Sequence, residues 1–153
     1  MLKIGEKAKD FTLKNENDED VSLSSFLGKK VVLYFYPKDN TPGCTVQAKE
    51  YRDLYDEYTK EGYVVIGISK DSVSSHKKFK EKFNLPFILL SDPDLKVINE
   101  YGVFKEKKLY GKSFLGVVRT TFVIDEKGII ISIKEKVNPK EDASCQLSFL
   151  RSL

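Results

Sequence analysis

The chain has 153 residues, 41% hydrophobic and 32% charged, which suits one folded domain over 1–153 and excludes a disordered chain. Its 26 basic and 23 acidic residues leave a net charge of +3, and runs such as Lys77-Lys78-Phe79-Lys80-Glu81-Lys82 mix the two signs, as on a solvated helix face rather than a nucleic-acid surface. No stretch reaches the ~18 apolar residues of a membrane span, and the opening segment lacks a signal-peptide core, so a cytoplasmic protein with no membrane or nucleic-acid partner is expected.

In chain order, Phe11 to Lys14 and Val21 to Leu23 flank a polar turn and predict a small N-terminal β-hairpin. Val31 to Tyr36 is a continuous apolar run closed by Pro37, the pattern of a central strand covered on both faces. Cys44, Ala48, Tyr51, Tyr55 and Tyr58 fall on one helical stripe that Gly62 ends. Tyr63 to Ser69 is the next strand. Ser72 or Ser74 caps a helix with Phe79 and Phe83 inward, and His76 reads as an ordinary surface residue of that helix. Ile88 to Leu90 is a short strand. Asp92-Pro93-Asp94 opens a helix to Tyr101, and Lys105 to Lys112 reads as a polar loop. Arg119 to Asp125 and Ile129 to Lys136 are strands joined in a hairpin, and a last helix starts at Asn138-Pro139. Alternating strands and helices give parallel pairing by right-handed crossovers, and the late hairpin adds antiparallel strands. The expected fold is α/β, a central mixed sheet with helices on both faces.

The candidate chemistry lies after the first central strand, in Pro37-Lys38-Asp39-Asn40-Thr41-Pro42-Gly43-Cys44. Ligands of open α/β sheets gather at the carboxyl ends of the strands. Thr41 suits the N-cap and Pro42 the first helical position, which puts Cys44 in the first turn. Unpaired N–H groups and the positive end of the helix dipole there favour a thiolate. Ionisation alone raises reactivity only modestly, so groups that stabilise charge on a leaving oxygen are also required. Gly43 permits close approach of a small ligand, Thr41 offers a hydroxyl, and Arg119 a permanent charge. Spacing alone fits equally a small core cysteine on the apolar stripe. The only other sulfhydryl is Cys145, and two cysteines with one histidine are a poor zinc set.

The stretch Tyr34 to Thr45, YFYPKDNTPGCT, resembles the active-site signature of peroxiredoxins of the bacterioferritin-comigratory, or Q-type, branch. The likeness continues in order through Asp10-Phe11-Thr12-Leu13, Gly67-Ile68-Ser69, Leu90-Ser91-Asp92, Tyr101-Gly102-Val103 and Arg119-Thr120-Thr121-Phe122-Val123-Ile124-Asp125. The resemblance implies a thioredoxin-like fold and a thiol-dependent peroxidase. Cys44 would be the peroxidatic cysteine, Thr41 would bond the peroxide oxygen, and Pro37 would shield the sulfur. Arg119 would hold the thiolate and polarise the peroxide, with the N–H groups of Gly43 and Cys44 completing the pocket. It implies hydrogen peroxide or organic hydroperoxides as substrates, no cofactor, and a thioredoxin-like or other thiol reductant for a monomer or weak homodimer. Two positions depart from the pattern. Lys49 stands where many relatives carry a resolving cysteine, and Gln47 where many carry glutamate.

Attack on peroxide leaves a sulfenic acid. Either an external thiol reduces it or Cys145 resolves it, within one chain or across two; the plainer reading of Cys145 is an incidental thiol outside the core of the last helix. The alternative function is a thioredoxin-like redox sensor or disulfide-exchange protein, although Cys44 lacks the Cys-x-x-Cys partner such proteins use.

Overall fold

The computed structural model describes residues 2–153. Strands β1 (Thr12–Asn15) and β2 (Asp20–Ser22) pair as the N-terminal hairpin, followed by a 3₁₀ turn at Leu23–Phe26. Then come β3 (Lys30–Phe35), α1 (Pro42–Asp53), α2 (Tyr55–Lys60), β4 (Tyr63–Ser69), α3 (Val73–Phe83), β5 (Ile88–Ser91) and α4 (Lys96–Glu100). The chain ends with β6 (Phe104–Leu109), β7 (Lys112–Val117), β8 (Thr120–Ile124), β9 (Ile130–Lys134) and α5 (Asp142–Arg151).

Seven strands form one mixed sheet in the order β2-β1-β5-β4-β3-β8-β9. The trio β5-β4-β3 is parallel, joined by helical crossovers, whereas β1, β8 and β9 run antiparallel to their neighbours. Alternation along β3 builds both cores. Val31, Leu33 and Phe35 face a layer with Val97, Ile98 and Tyr101 at and just beyond α4. Val32, Tyr34 and the following Tyr36 face the opposite layer, with Ala48 and Tyr51 of α1, Tyr58 of α2, Phe79 of α3 and Leu147 of α5. Such side chains contribute about 1.5–3 kcal/mol each on full burial. Tyr34 also stacks on Tyr51, ring centroids 4.7 Å apart, tying α1 to the centre of the sheet.

Four expectations need correction. The single stripe from Cys44 to Tyr58 is two helices broken at Leu54, whose backbone (φ −100°, ψ 4°) leaves the helical path. The supposed loop at Lys105 to Lys112 is largely strand: β6 and β7 form a separate two-stranded antiparallel ribbon turning at Tyr110 and Gly111, both at positive φ. Helix α4 begins at Lys96, because Asp92 accepts from the N–H groups of Lys96 and Ile98 instead of opening the helix itself. Helix α5 begins at Asp142; the Asn138 side chain accepts from the Lys140 N–H in a turn that precedes it.

Candidate active site

The antiparallel pairing of β3 with β8 decides which groups meet. Phe35 at the end of β3 lies opposite Thr120 at the start of β8. The loop leaving β3 toward α1 and the residue entering β8 therefore share one end of the sheet. That residue is Arg119, just outside the strand and part-buried.

Pro42, Gly43 and Cys44 are the first three residues of α1, after Thr41 at the N-cap. Cys44 faces inward on the stripe it shares with Ala48 and Tyr51 and is 2% exposed. Its sulfur lies 3.3 Å from Arg119 Nη1, which donates to it. The same Nη1 donates to Gln47 Oε1 at 2.8 Å. The guanidinium occupies space left open by Gly43: a Cβ there would come within 3.1 Å of Arg119 Nη2. A sulfur in the first turn of a helix, bonded by a guanidinium, sits in a field that favours negative charge.

Thr41 takes the N-cap conformation (φ −95°, ψ 158°), but its side chain caps no helical N–H. Its hydroxyl donates instead to the Lys38 carbonyl at 2.9 Å, which turns the loop on itself and leaves the oxygen lone pairs to accept. Pro37 is part-buried at the start of this loop. Cys145 is the fourth residue of α5, one turn nearer the helix start than the sequence pattern suggests, and is exposed. Asp142, Ala143, Gln146 and Leu147 of the same helix are buried, so Cys145 lies on the outward face.

Two further groups, not singled out by the sequence pattern, support the site. His76 is buried, at 0% exposure, not on the surface. Its Nδ1 lies 2.7 Å from Asp39 Oδ2, and its Nε2 donates to the Leu90 carbonyl at 2.9 Å. Asp39 also accepts from the Tyr36 and Ser75 hydroxyls, and its N–H donates to Asp71. Asp39 belongs to the loop that delivers Cys44, so this cluster pins that loop to α3 and β5. His76 shares a helical stripe with Phe79 and Phe83, a signal that could have revealed it.

The second such group is Asp142, 3% exposed. Its Oδ2 accepts from Gln47 Nε2, the Tyr51 hydroxyl and the Thr121 hydroxyl at 3.0, 2.6 and 2.7 Å. Oδ1 accepts from Gln146 Nε2 at 3.2 Å. Its signal was a pair of polar residues, Asp142 and Gln146, four apart on the stripe of Ala143, Leu147 and Leu150.

A profile for the AhpC/TSA family matches residues 4–133. A putative Bcp peroxiredoxin from Coxiella burnetii is 52% identical over 136 residues, covering 89% of this chain and 90% of that protein. Peroxiredoxin Bcp of Bacillus subtilis is 45% identical over 152 residues, covering 99% and 97%. Among solved structures, the bacterioferritin comigratory protein of Xanthomonas campestris, described for its alkyl peroxide reduction activity, superposes with a TM-score of 0.88 at 35% identity, covering 93% of this chain and 90% of that one. A PrxQ variant from Xylella fastidiosa superposes with a TM-score of 0.94 at 31% identity, covering 99% and 97%.

Proposed function

The chain belongs to the AhpC/TSA family, among its Bcp and Q-type peroxiredoxins, and from that premise we propose how its own residues carry the chemistry. It is a thioredoxin-fold, thiol-dependent peroxidase. The Cys44 thiolate attacks one oxygen of hydrogen peroxide or an organic hydroperoxide. The S–O bond forms as the O–O bond breaks, and sulfur is oxidised to sulfenic acid. The departing hydroxide or alkoxide takes up a proton and leaves as water or alcohol. Arg119 bonds the thiolate at rest and meets negative charge as it moves onto the leaving oxygen. The Thr41 oxygen and the N–H groups of Gly43 and Cys44 hold the peroxide, and Pro37 limits the access of water.

The observation that carries the proposal is the 3.3 Å contact of Arg119 Nη1 with Cys44 Sγ in the first turn of α1. Cys44→Ser is expected to abolish peroxide consumption while the fold survives. Turnover retained in that variant would refute the assignment. Consumption of many equivalents of peroxide with a thiol donor separates an enzyme from a sensor, which would oxidise once and stop.

An external thiol of thioredoxin type recycles the enzyme. One thiol displaces water from the sulfenic acid to form a mixed disulfide, and a second releases Cys44 and the oxidised donor. This route is favoured because Cys44 faces inward while Cys145 faces outward from α5. A bond between them in one chain requires α1 or α5 to rearrange. The same proposal takes the 153 residues as one domain acting in the cytoplasm, as a monomer or weak homodimer. No helix among the described residues is long and apolar enough to cross a membrane.

A further inference from the structure

We propose that Asp142 is a positioning residue for the peroxide chemistry, orienting the Gln47 amide so that its oxygen holds the Arg119 guanidinium against Cys44. This rests on the roles given above to Cys44 and Arg119. The reason lies in the direction of the hydrogen bonds. A guanidinium has donors and no acceptor. The face of Gln47 that meets Arg119 must therefore be the amide oxygen, and the NH2 group must point the other way. In that direction it finds Asp142 Oδ2 at 3.0 Å. The chain of contacts runs Cys44 Sγ, Arg119 Nη1, Gln47 Oε1, Gln47 Nε2, Asp142 Oδ2, with separations of 3.3, 2.8 and 3.0 Å across the three gaps.

Asp142 is well placed to enforce this direction. Gln47 is 0% exposed and Asp142 3%, so water does not offer the amide a competing partner. Tyr51, Thr121 and Gln146 all point donors at the carboxyl group. No Lys, Arg or His among the described residues lies within ion-pair distance of it. The guanidinium lies one amide away from it, through Gln47. The carboxylate thus sits one side chain beyond the guanidinium's acceptor, on α5.

A merely structural role, holding α5 to α1, makes a different prediction from an orienting one, and reversing the polarity of the pair separates them. In Asp142→Asn, the new amide group competes with Gln47 and the guanidinium loses its fixed acceptor. In Gln47→Glu, two carboxylates meet in a buried space. In the double variant, the amide introduced at position 142 donates to the carboxylate introduced at position 47. The other oxygen of that carboxylate accepts from Arg119, and the array is restored with its polarity reversed.

The measurement is the single-turnover rate constant for Cys44 oxidation by hydrogen peroxide, with the sulfenic acid located by mass spectrometry. Each single variant is expected to lose about tenfold, less than the ~10²–10³ for removal of a direct transition-state donor. The double variant should recover to within about threefold of wild type, as a coupled pair does. Gln47→Glu tests the proposal even where Asp142→Asn folds poorly: a wild-type rate in folded Gln47→Glu overturns it, as does a double variant no faster than Asp142→Asn. A wild-type rate in folded Asp142→Asn also overturns it, while sulfenic acid at Cys44 in wild-type protein leaves the underlying reading intact.

Discussion

Gly43 and Arg119 compete for one volume: a Cβ on Gly43 would lie 3.1 Å from Nη2 and 3.8 Å from Cζ of the guanidinium. The arginine cannot simply swing aside, because Nη1 is engaged by both Gln47 and Cys44. Gly43→Ala is therefore expected to slow Cys44 oxidation about tenfold by tilting the guanidinium off the sulfur. Gly43 has no positive φ to lose, and alanine is the better helix former by roughly 0.5–1 kcal/mol. Stability should thus hold within about 1 kcal/mol. Stopped-flow kinetics beside a denaturant titration checks both; an unchanged rate removes this steric link.

His76 and Asp39 form a buried pair, 0% and 6% exposed. His76→Leu leaves the Leu90 carbonyl without its ring donor and takes the ring from the Asp39 carboxyl group, which keeps the Tyr36 and Ser75 hydroxyls. The expected cost is about 1–3 kcal/mol, the range for leaving a buried acceptor without its partner. Urea unfolding measures it, and a loss below about 1 kcal/mol contradicts the role given to this cluster in pinning the active-site loop.

Alkaline pH should unfold the protein through its tyrosines. Burial, more than any neighbouring charge, raises Tyr34, Tyr36, Tyr51, Tyr58 and Tyr101 above the ordinary value of 10.0. The folded state thus holds protons that the unfolded chain gives up. Their contribution to stability is fully present below pH ~10 and is lost as pH rises toward the raised values. Absorbance of tyrosinate, followed with far-ultraviolet circular dichroism, should show these five ionising together with the loss of helix. Ionisation of all five with the helices intact is the contrary result.

Cys145 points away from the sheet, so oxidation with one equivalent of peroxide should add one oxygen at Cys44 and leave Cys145 a free thiol. Turnover of Cys145→Ser with a thioredoxin-type donor should stay within about twofold of wild type. A reducible Cys44–Cys145 peptide in non-reducing maps, joining either one chain or two, would put Cys145 into the cycle.

What could be read from the sequence was whatever rests on local period and local capping. Val31 to Tyr36 announced a strand buried on both sides, and Ser72 capped α3 as its position suggested, accepting from the Ser75 N–H. The ribbon of β6 and β7 was hidden because Lys-Glu-Lys-Lys carries no apolar alternation, and its turn places Tyr110 where Asn or Gly is usual. His76 was misread because lysines follow it, although its own side chain turns inward with Phe79. Cys44 and Arg119 were visible through the family pattern, but the Gln47–Asp142 contact joins positions 95 apart and has no local signature. Such partners are decided by topology, here by α5 returning over α1.

The same distance along the chain has a consequence for the protein as it is made. Arg119 follows Cys44 by 75 residues. At a synthesis rate of roughly 5–20 residues per second, the guanidinium leaves the polymerising end about 4–15 s after the sulfur. Through that interval the nascent sulfur lacks the guanidinium contact. The Cys44–Arg119 pair therefore comes together only after every element from α1 to β7 has been made.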